Sequence, residues 1–125
     1  MSKQQNFTKG RNGEDIAREY LRKNGYSLLE KNFNNRFGEI DLIVTKNKTI
    51  IFIEVKLKVG EDYGTPEEMI GKRKLFQVQQ TSVAFLQKYP ELLEKFPFCQ
   101  IDAVCVVVDK KEEILRINHY ENLTF

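Results

Sequence analysis

The spacing of apolar positions along the chain predicts its elements in order. Ile16, Ala17, Tyr20 and Leu21 recur at helical intervals and predict a helix from about Gly13 to Asn24, with Gly25 at the stop position. Tyr26 to Asn32 reads as a short strand. Phe37–Thr45 and Thr49–Lys58 are both rich in β-branched and apolar residues, and the polar Lys46-Asn47-Lys48 between them predicts a hairpin. Residues 60–64 form a loop. Thr65-Pro66-Glu67-Glu68 reads as a helix start, with threonine as cap, proline in the first turn and glutamate three positions on. That helix is expected to run to about Tyr89, with an apolar arc on Met69, Phe76, Val83 and Leu86 in which Lys72 and Gln79 also fall. Pro90 opens one further short turn. Ile101–Val108 is almost unbroken in its hydrophobicity, as in a strand covered on both faces. Asp109-Lys110-Lys111-Glu112 turns the chain, and Ile114–Ile117 reads as an edge strand. The order αβββαββ places the protein in the α/β class, as a mixed sheet flanked by helices.

At 125 residues the chain has the length of one domain, spanning 1–125, whose polar first dozen residues are expected to be mobile. With 41% hydrophobic and 30% charged residues its composition is that of an ordinary soluble globular protein. No apolar run reaches the roughly 18 residues of a membrane span, and Met1–Asn6 lacks the apolar stretch of a signal peptide. A cytoplasmic location, with no membrane partner, is the expectation. Cys99 and Cys105 fall in one strand-like run, about 20 Å apart at roughly 3.3 Å per residue, too far for a disulfide. Two cysteines and one histidine cannot supply a four-ligand zinc site. Histidine-based nuclease chemistry has a single candidate, His119.

The candidate chemistry lies in the hairpin. In a strand, residues two apart share a face. Ile51, Ile53, Val55 and Leu57 would then face one side, and Glu54 and Lys56 the other. Glu39 and Asp41 likewise share a face, with Ile40, Leu42 and Val44 opposite. Pairing across the Lys46–Lys48 turn brings Asp41 near Glu54. Carboxylates at close range repel unless a cation lies between them, and a hard ion such as Mg²⁺ (or Mn²⁺) binds through one or two carboxylates plus waters and substrate phosphate. The same spacing also suits an ordinary solvated strand face with a Glu–Lys pair. The net charge is +2, and withdrawing Glu14, Glu39, Asp41, Glu54 and Lys56 into one site leaves a more basic remainder, compatible with a polyanionic substrate.

Gly38-Glu39-Ile40-Asp41-Leu42-Ile43, followed by Ile53-Glu54-Val55-Lys56, resembles the paired signature of the YraN family of predicted endonucleases. That family belongs to the restriction-endonuclease-like superfamily and is distantly related to archaeal Holliday junction resolvases. The resemblance extends over Gly10, Gly13-Glu14, Ala17 and Leu21, Gly25-Tyr26, Asn32, Tyr63–Pro66, Lys72, Leu75 and Ile101–Val104. It implies a restriction-endonuclease-like core in which Asp41 and Glu54 are the metal carboxylates, Lys56 the catalytic lysine and Glu14 the helix glutamate completing the acidic cluster. Lys58 and Gln100 stand where the family usually has arginines, and lysine lacks the two-pronged grip of arginine on phosphate.

Further candidates for contact with substrate are Lys58, Lys72 and Gln79, and the run Lys72-Arg73-Lys74 suits a nucleic-acid backbone or a solvated surface. Asp102, in a buried-looking strand, needs a partner, expected to be a helix residue in a structural pairing. The function implied is a metal-dependent endonuclease acting on DNA, including branched or structured DNA. The competing readings are a binding module that keeps the fold without cutting, and a partner of DNA-processing proteins. A homodimer is compatible with cutting two strands, though no dimer surface is legible.

Overall fold

The computed structural model describes residues 12–123, so the polar opening segment expected to be mobile lies outside the described residues except for its last member, Asn12. Asn12 caps the first helix, α1 (Gly13–Lys23), its side chain accepting the Asp15 N–H at 2.8 Å. The helix buries Ile16, Ala17 and Leu21 and ends at Gly25, which takes φ +90° while the Tyr26 N–H donates back to the Leu21 carbonyl at 3.0 Å.

Strands β1 (Ser27–Asn35), β2 (Gly38–Lys46) and β3 (Thr49–Val59) form an antiparallel meander. The β2–β3 turn is closed by the Lys46↔Thr49 pair, with Asn47 at φ +57°, a left-handed conformation that asparagine tolerates. The chain then crosses over through a 3₁₀ turn (Pro66–Met69), helix α2 (Lys72–Lys88) and the single turn α3 (Leu92–Lys95). It returns as β4 (Phe98–Val108), parallel to β3, and ends in β5 (Ile114–Tyr120), antiparallel to β4. The result is a mixed five-stranded sheet in the order β1-β2-β3-β4-β5 with helices on both faces, consistent with a restriction-endonuclease-like core.

Two apolar layers hold it together. On one face α1 packs Ile16, Ala17 and Leu21 onto Leu42, Val44, Ile51, Ile53, Val55, Val104, Val106 and Val108. On the other, Val78 and Phe85 of α2 meet Phe33, Ile40, Ile43, Ile50 and Phe52. Phe85 sits edge-on to Phe33, with ring centroids 5.0 Å apart. Among the described residues no helix is long and apolar enough to cross a membrane.

The structure corrects several expectations. The capping box at Thr65 is real, with Glu68 reciprocating, but it closes only a 3₁₀ turn, because Ile70 is extended and Gly71 caps α2 separately. The buried stripe of α2 is Leu75, Val78, Thr81, Ser82 and Phe85, not the predicted arc. Met69, Phe76 and Val83 are 46–51% exposed. Thr81 and Ser82 can be buried because their hydroxyls donate to the Gln77 and Val78 carbonyls at 2.8 and 2.7 Å. Ile40 does not share a face with Leu42 and Val44 but lies in the opposite layer. β4 begins three residues early and β5 runs three residues beyond Ile117. Asp102 is paired with a strand residue, His119, at 2.8 Å, rather than with a helix.

Candidate active site

The site forms where β2 parts from β3. Their pairing runs from Lys46↔Thr49 to Leu42↔Ile53 and stops there. Asp41 is the next residue, and its Oδ2 accepts the Val55 N–H at 2.8 Å. The side chain thus takes over from the backbone ladder and stands in the opening between the strands. Opposite, on β1, Asn32 adopts φ +55° between the Lys31↔Leu42 and Phe33↔Ile40 pairs. This local twist accounts for the change of face between Leu42 and Ile40.

Glu54 lies in the middle of β3 on the α2-facing side and is only 2% exposed. Its Oε2 faces two ammonium groups, Lys56 Nζ at 3.4 Å and Lys74 Nζ at 3.5 Å. Its Oε1 is buried and, among the described residues, has no hydrogen-bond partner. An orphaned carboxylate oxygen in a dry position is costly unless something completes it. Burial pushes the Glu54 carboxyl up from its usual 4.5 to about 6, with the charge of Asp41 adding to the rise and Lys74 and Lys56 opposing it. Burial also raises Asp41, although the Val55 N–H stabilises its charged form.

Glu14 approaches from the first turn of α1, where its Oε1 accepts the Asn32 side-chain amide at 3.0 Å. Its carboxyl is raised by partial burial and then by the charges of Asp41 and Glu39. Helix α1 can come this close because residue 13 is glycine: a Cβ there would lie 3.0 Å from Leu57 Cβ. Glu39 lies at the exposed rim. Gly38 serves the opposite wall, since a Cβ at that position would sit 2.7 Å from the Gln77 side chain.

The structure therefore brings Asp41, Glu54 and Lys56 together and sets Glu14 within electrostatic range of Asp41. Lys58 follows Lys56 on the same side of β3, half-buried. Lys72 is exposed in the first turn of α2. Gln79 does not reach the site: it lines a surface cavity of ≈ 330 Å³ with Phe37, Phe76 and Val83. From α2 the residues that do reach it are Lys74 and Gln77, whose side chains meet at 3.4 Å. The sequence offers Lys74 only as part of the basic run Lys72-Arg73-Lys74 and does not offer Gln77, because the expected stripe of α2 lies one register off; Leu75 and Val78 carry the signal for the correct one.

Among the described residues no three histidine, cysteine or acidic side chains converge tightly enough to hold a metal ion by themselves. Two carboxylates with an unsatisfied buried oxygen nevertheless fit a hard cation that keeps part of its water shell and takes the rest of its ligands from substrate.

Residues 13–106 match the family described as "Uncharacterised protein family UPF0102". The chain belongs to this family. Similar UPF0102 proteins include one from Syntrophomonas wolfei, 37% identical over 110 residues, covering 88% of this chain and 91% of its own length. Another, from Persephonella marina, is 48% identical over 82 residues, or 66% of this chain and 71% of its own length. A third, from Clostridium botulinum, is 38% identical over 97 residues, covering 78% and 77%. The matched UPF0102 region starts at the α1 residue that lies against Leu57 and includes Asp41, Glu54, Lys56 and Lys74.

The raised carboxyl of Glu54 carries a stability prediction. Its folded pKa of about 6 exceeds its ordinary 4.5, so ionising it costs stability above pH 6 and costs nothing below pH 4.5. At 1.36 kcal/mol per unit this is on the order of 2 kcal/mol. Glu54→Gln is therefore expected to raise stability by about 1–2 kcal/mol at pH 8, and the gain should vanish near pH 4. Urea denaturation at the two pH values measures it; a gain that does not change with pH would show that Glu54 is not the group responsible.

Proposed function

We propose that this UPF0102 protein is a divalent-metal-dependent endonuclease that hydrolyses DNA phosphodiester bonds. One observation carries the reading: Glu54 is buried beside Asp41 with one oxygen facing two lysines and the other, among the described residues, without a hydrogen-bond partner. A structural ion pair would satisfy both oxygens, whereas a site that takes up a cation must keep one available.

Asp41 and Glu54 would hold Mg²⁺ or Mn²⁺, which when bound supplies charge neutralisation on the phosphate and an activated water. Asp41 is oriented by the Val55 N–H, which donates to its Oδ2 at 2.8 Å. Lys56, on the same face as Glu54, stands where it can stabilise the negative charge that grows on the phosphate. Glu14, tethered by Asn32, adds negative charge beside Asp41 and so favours cation uptake. Lys58, two residues beyond Lys56 on β3, and Lys72, exposed at the start of α2, would suit backbone phosphates of the substrate.

The direct test is nicking of supercoiled, single-stranded and four-way-junction DNA with Mg²⁺ or Mn²⁺, against a chelator control. Metal-dependent cutting of at least one form is expected. Salt-dependent DNA binding without cutting of any form would instead favour a binding module built on the same fold.

A further inference from the structure

The pocket already contains its own cations. Asp41 and Glu54 contribute two negative charges, and Lys56 and Lys74 two positive ones, both ammonium groups lying against the same oxygen of Glu54. The two lysines are not equivalent. Lys56 is fixed two residues from Glu54 on one strand. Lys74 comes from another element, with its side chain 28% exposed and a second anchor available in Gln77 Oε1 at 3.4 Å. It sits in the first turn of α2, which contains no acidic residue, begins at Gly71 without a side-chain cap, and exposes Lys72 and Arg73 beside it. The N–H groups that open a helix and the basic side chains of that turn favour an anion, while Glu54 Oε1, without a hydrogen-bond partner among the described residues, favours a cation.

A divalent ion taken up by Asp41 and Glu54 brings two positive charges to a carboxylate that already carries two ammonium groups. Like charges on one buried acceptor oppose each other, and the lysine that comes from a separate element and has a second anchor in Gln77 is the one to leave. We propose that Lys74 is an exchangeable counter-ion: it neutralises Glu54 in the metal-free protein, is displaced when a divalent cation binds, and then engages a substrate phosphate at the start of α2. This rests on the metal-dependent reading of the site. It makes metal and DNA binding cooperative through one side chain, because whatever holds Lys74 away from Glu54 favours the metal, and reciprocally.

Two neutral variants, Lys74→Met and Lys74→Gln, and the charge-retaining Lys74→Arg test it in the full chain. Mn²⁺ affinity is measured by calorimetric titration without DNA in mildly alkaline buffer. DNA affinity is measured by gel shift with and without Mn²⁺, on a phosphorothioate-linked duplex that resists hydrolysis. The neutral variants should bind Mn²⁺ roughly five- to ten-fold more tightly than wild type, and Lys74→Arg should stay within about two-fold. Their DNA affinity should fall several-fold with Mn²⁺ present and stay unchanged without it. A merely structural lysine would weaken Mn²⁺ binding and lower the melting temperature; an ordinary phosphate contact would weaken DNA binding equally with and without metal. Either result in both neutral variants overturns the proposal. If wild type cuts DNA while the neutral variants keep wild-type Mn²⁺ and DNA affinities, the exchange falls and the nuclease reading stands. If the affinities shift as expected but no DNA is cut, the exchange stands and the nuclease reading falls. A wild type that binds no Mn²⁺ sinks both.

Discussion

Lys56→Ala is expected to cut DNA about a hundred- to a thousand-fold more slowly than wild type, while its DNA affinity stays within a few-fold. The ammonium of Lys56 lies 3.4 Å from Glu54 with its side chain 23% exposed, so it faces the acidic pocket rather than the open surface. A group there contributes little to the long-range attraction of a polyanion, which is set by surface lysines and arginines. Its contribution grows only as charge develops on the phosphate, and removing one such stabilising group typically lowers kcat by that factor. The opposite pattern is expected of Lys58→Ala combined with Lys72→Ala. Binding should weaken and its salt dependence flatten by about one unit of slope per lost phosphate contact, with cleavage at saturating protein largely kept. Gel shifts over a salt series and single-turnover cleavage separate the two. Cutting by Lys56→Ala at the wild-type rate would move the chemistry elsewhere in the molecule.

What the sequence made legible follows from strand periodicity. The alternation in Ile51, Ile53, Val55 and Leu57 against Glu54 and Lys56 holds in the structure, because β3 is regular and covered by a helix layer on each face. The hairpin around Asn47 brings Asp41, one residue past the last β2–β3 pair, near Glu54, and the motif pair resembles the YraN family, with which the UPF0102 match is consistent. Periodicity failed where a local device broke it. Asn32 at φ +55° and the Asp41–Val55 hydrogen bond twist the strand ends, so Ile40 changes layer. In α2, Thr81 and Ser82 return their hydroxyls to the helix backbone and behave as core residues, which turns the whole stripe away from Phe76 and Val83. That rotation, invisible to a count of apolar letters, brings Lys74 and Gln77 to the site and leaves Gln79 outside it.

Long-range polar pairing was equally hidden. Arg116 of β5 grips Glu67 in the 3₁₀ turn through two nitrogens at 2.7 and 2.9 Å and reaches Glu61 at 3.0 Å. The guanidinium holds the Glu67 carboxyl down at about 2. This clamp ties the segment between β3 and α2 to β5. No local pattern in the sequence joins positions about fifty residues apart.

Asp102→Ala is expected to destabilise the fold by about 3–5 kcal/mol, because several buried donors lose their acceptor at about 1–3 kcal/mol each. Asp102 is completely buried and accepts from three donors: the Gln100 side chain at 2.9 Å, the Asn122 N–H at 2.9 Å and His119 Nε2 at 2.8 Å. Removing the carboxylate leaves all three without their acceptor. His119 in turn is held edge-on between Tyr20, 5.9 Å away, and Tyr26, 5.7 Å away, so it cannot swing out to water without undoing that packing. An aspartate bonded to a histidine is also the arrangement of a catalytic pair, and the two roles predict different things. Asp102 lies in the α1-facing layer beside Val104, opposite the side on which Glu54 and Lys56 stand. Its loss should therefore lower the urea midpoint while leaving cleavage per folded molecule unchanged. His119→Ala should cost less than Asp102→Ala, and the double variant less than the sum of the two, since both remove the same interaction. If Asp102→Ala kept the wild-type midpoint but lost cleavage, the Asp102–His119 pair would belong to the chemistry, and the centre at Asp41 and Glu54 would be incomplete without it.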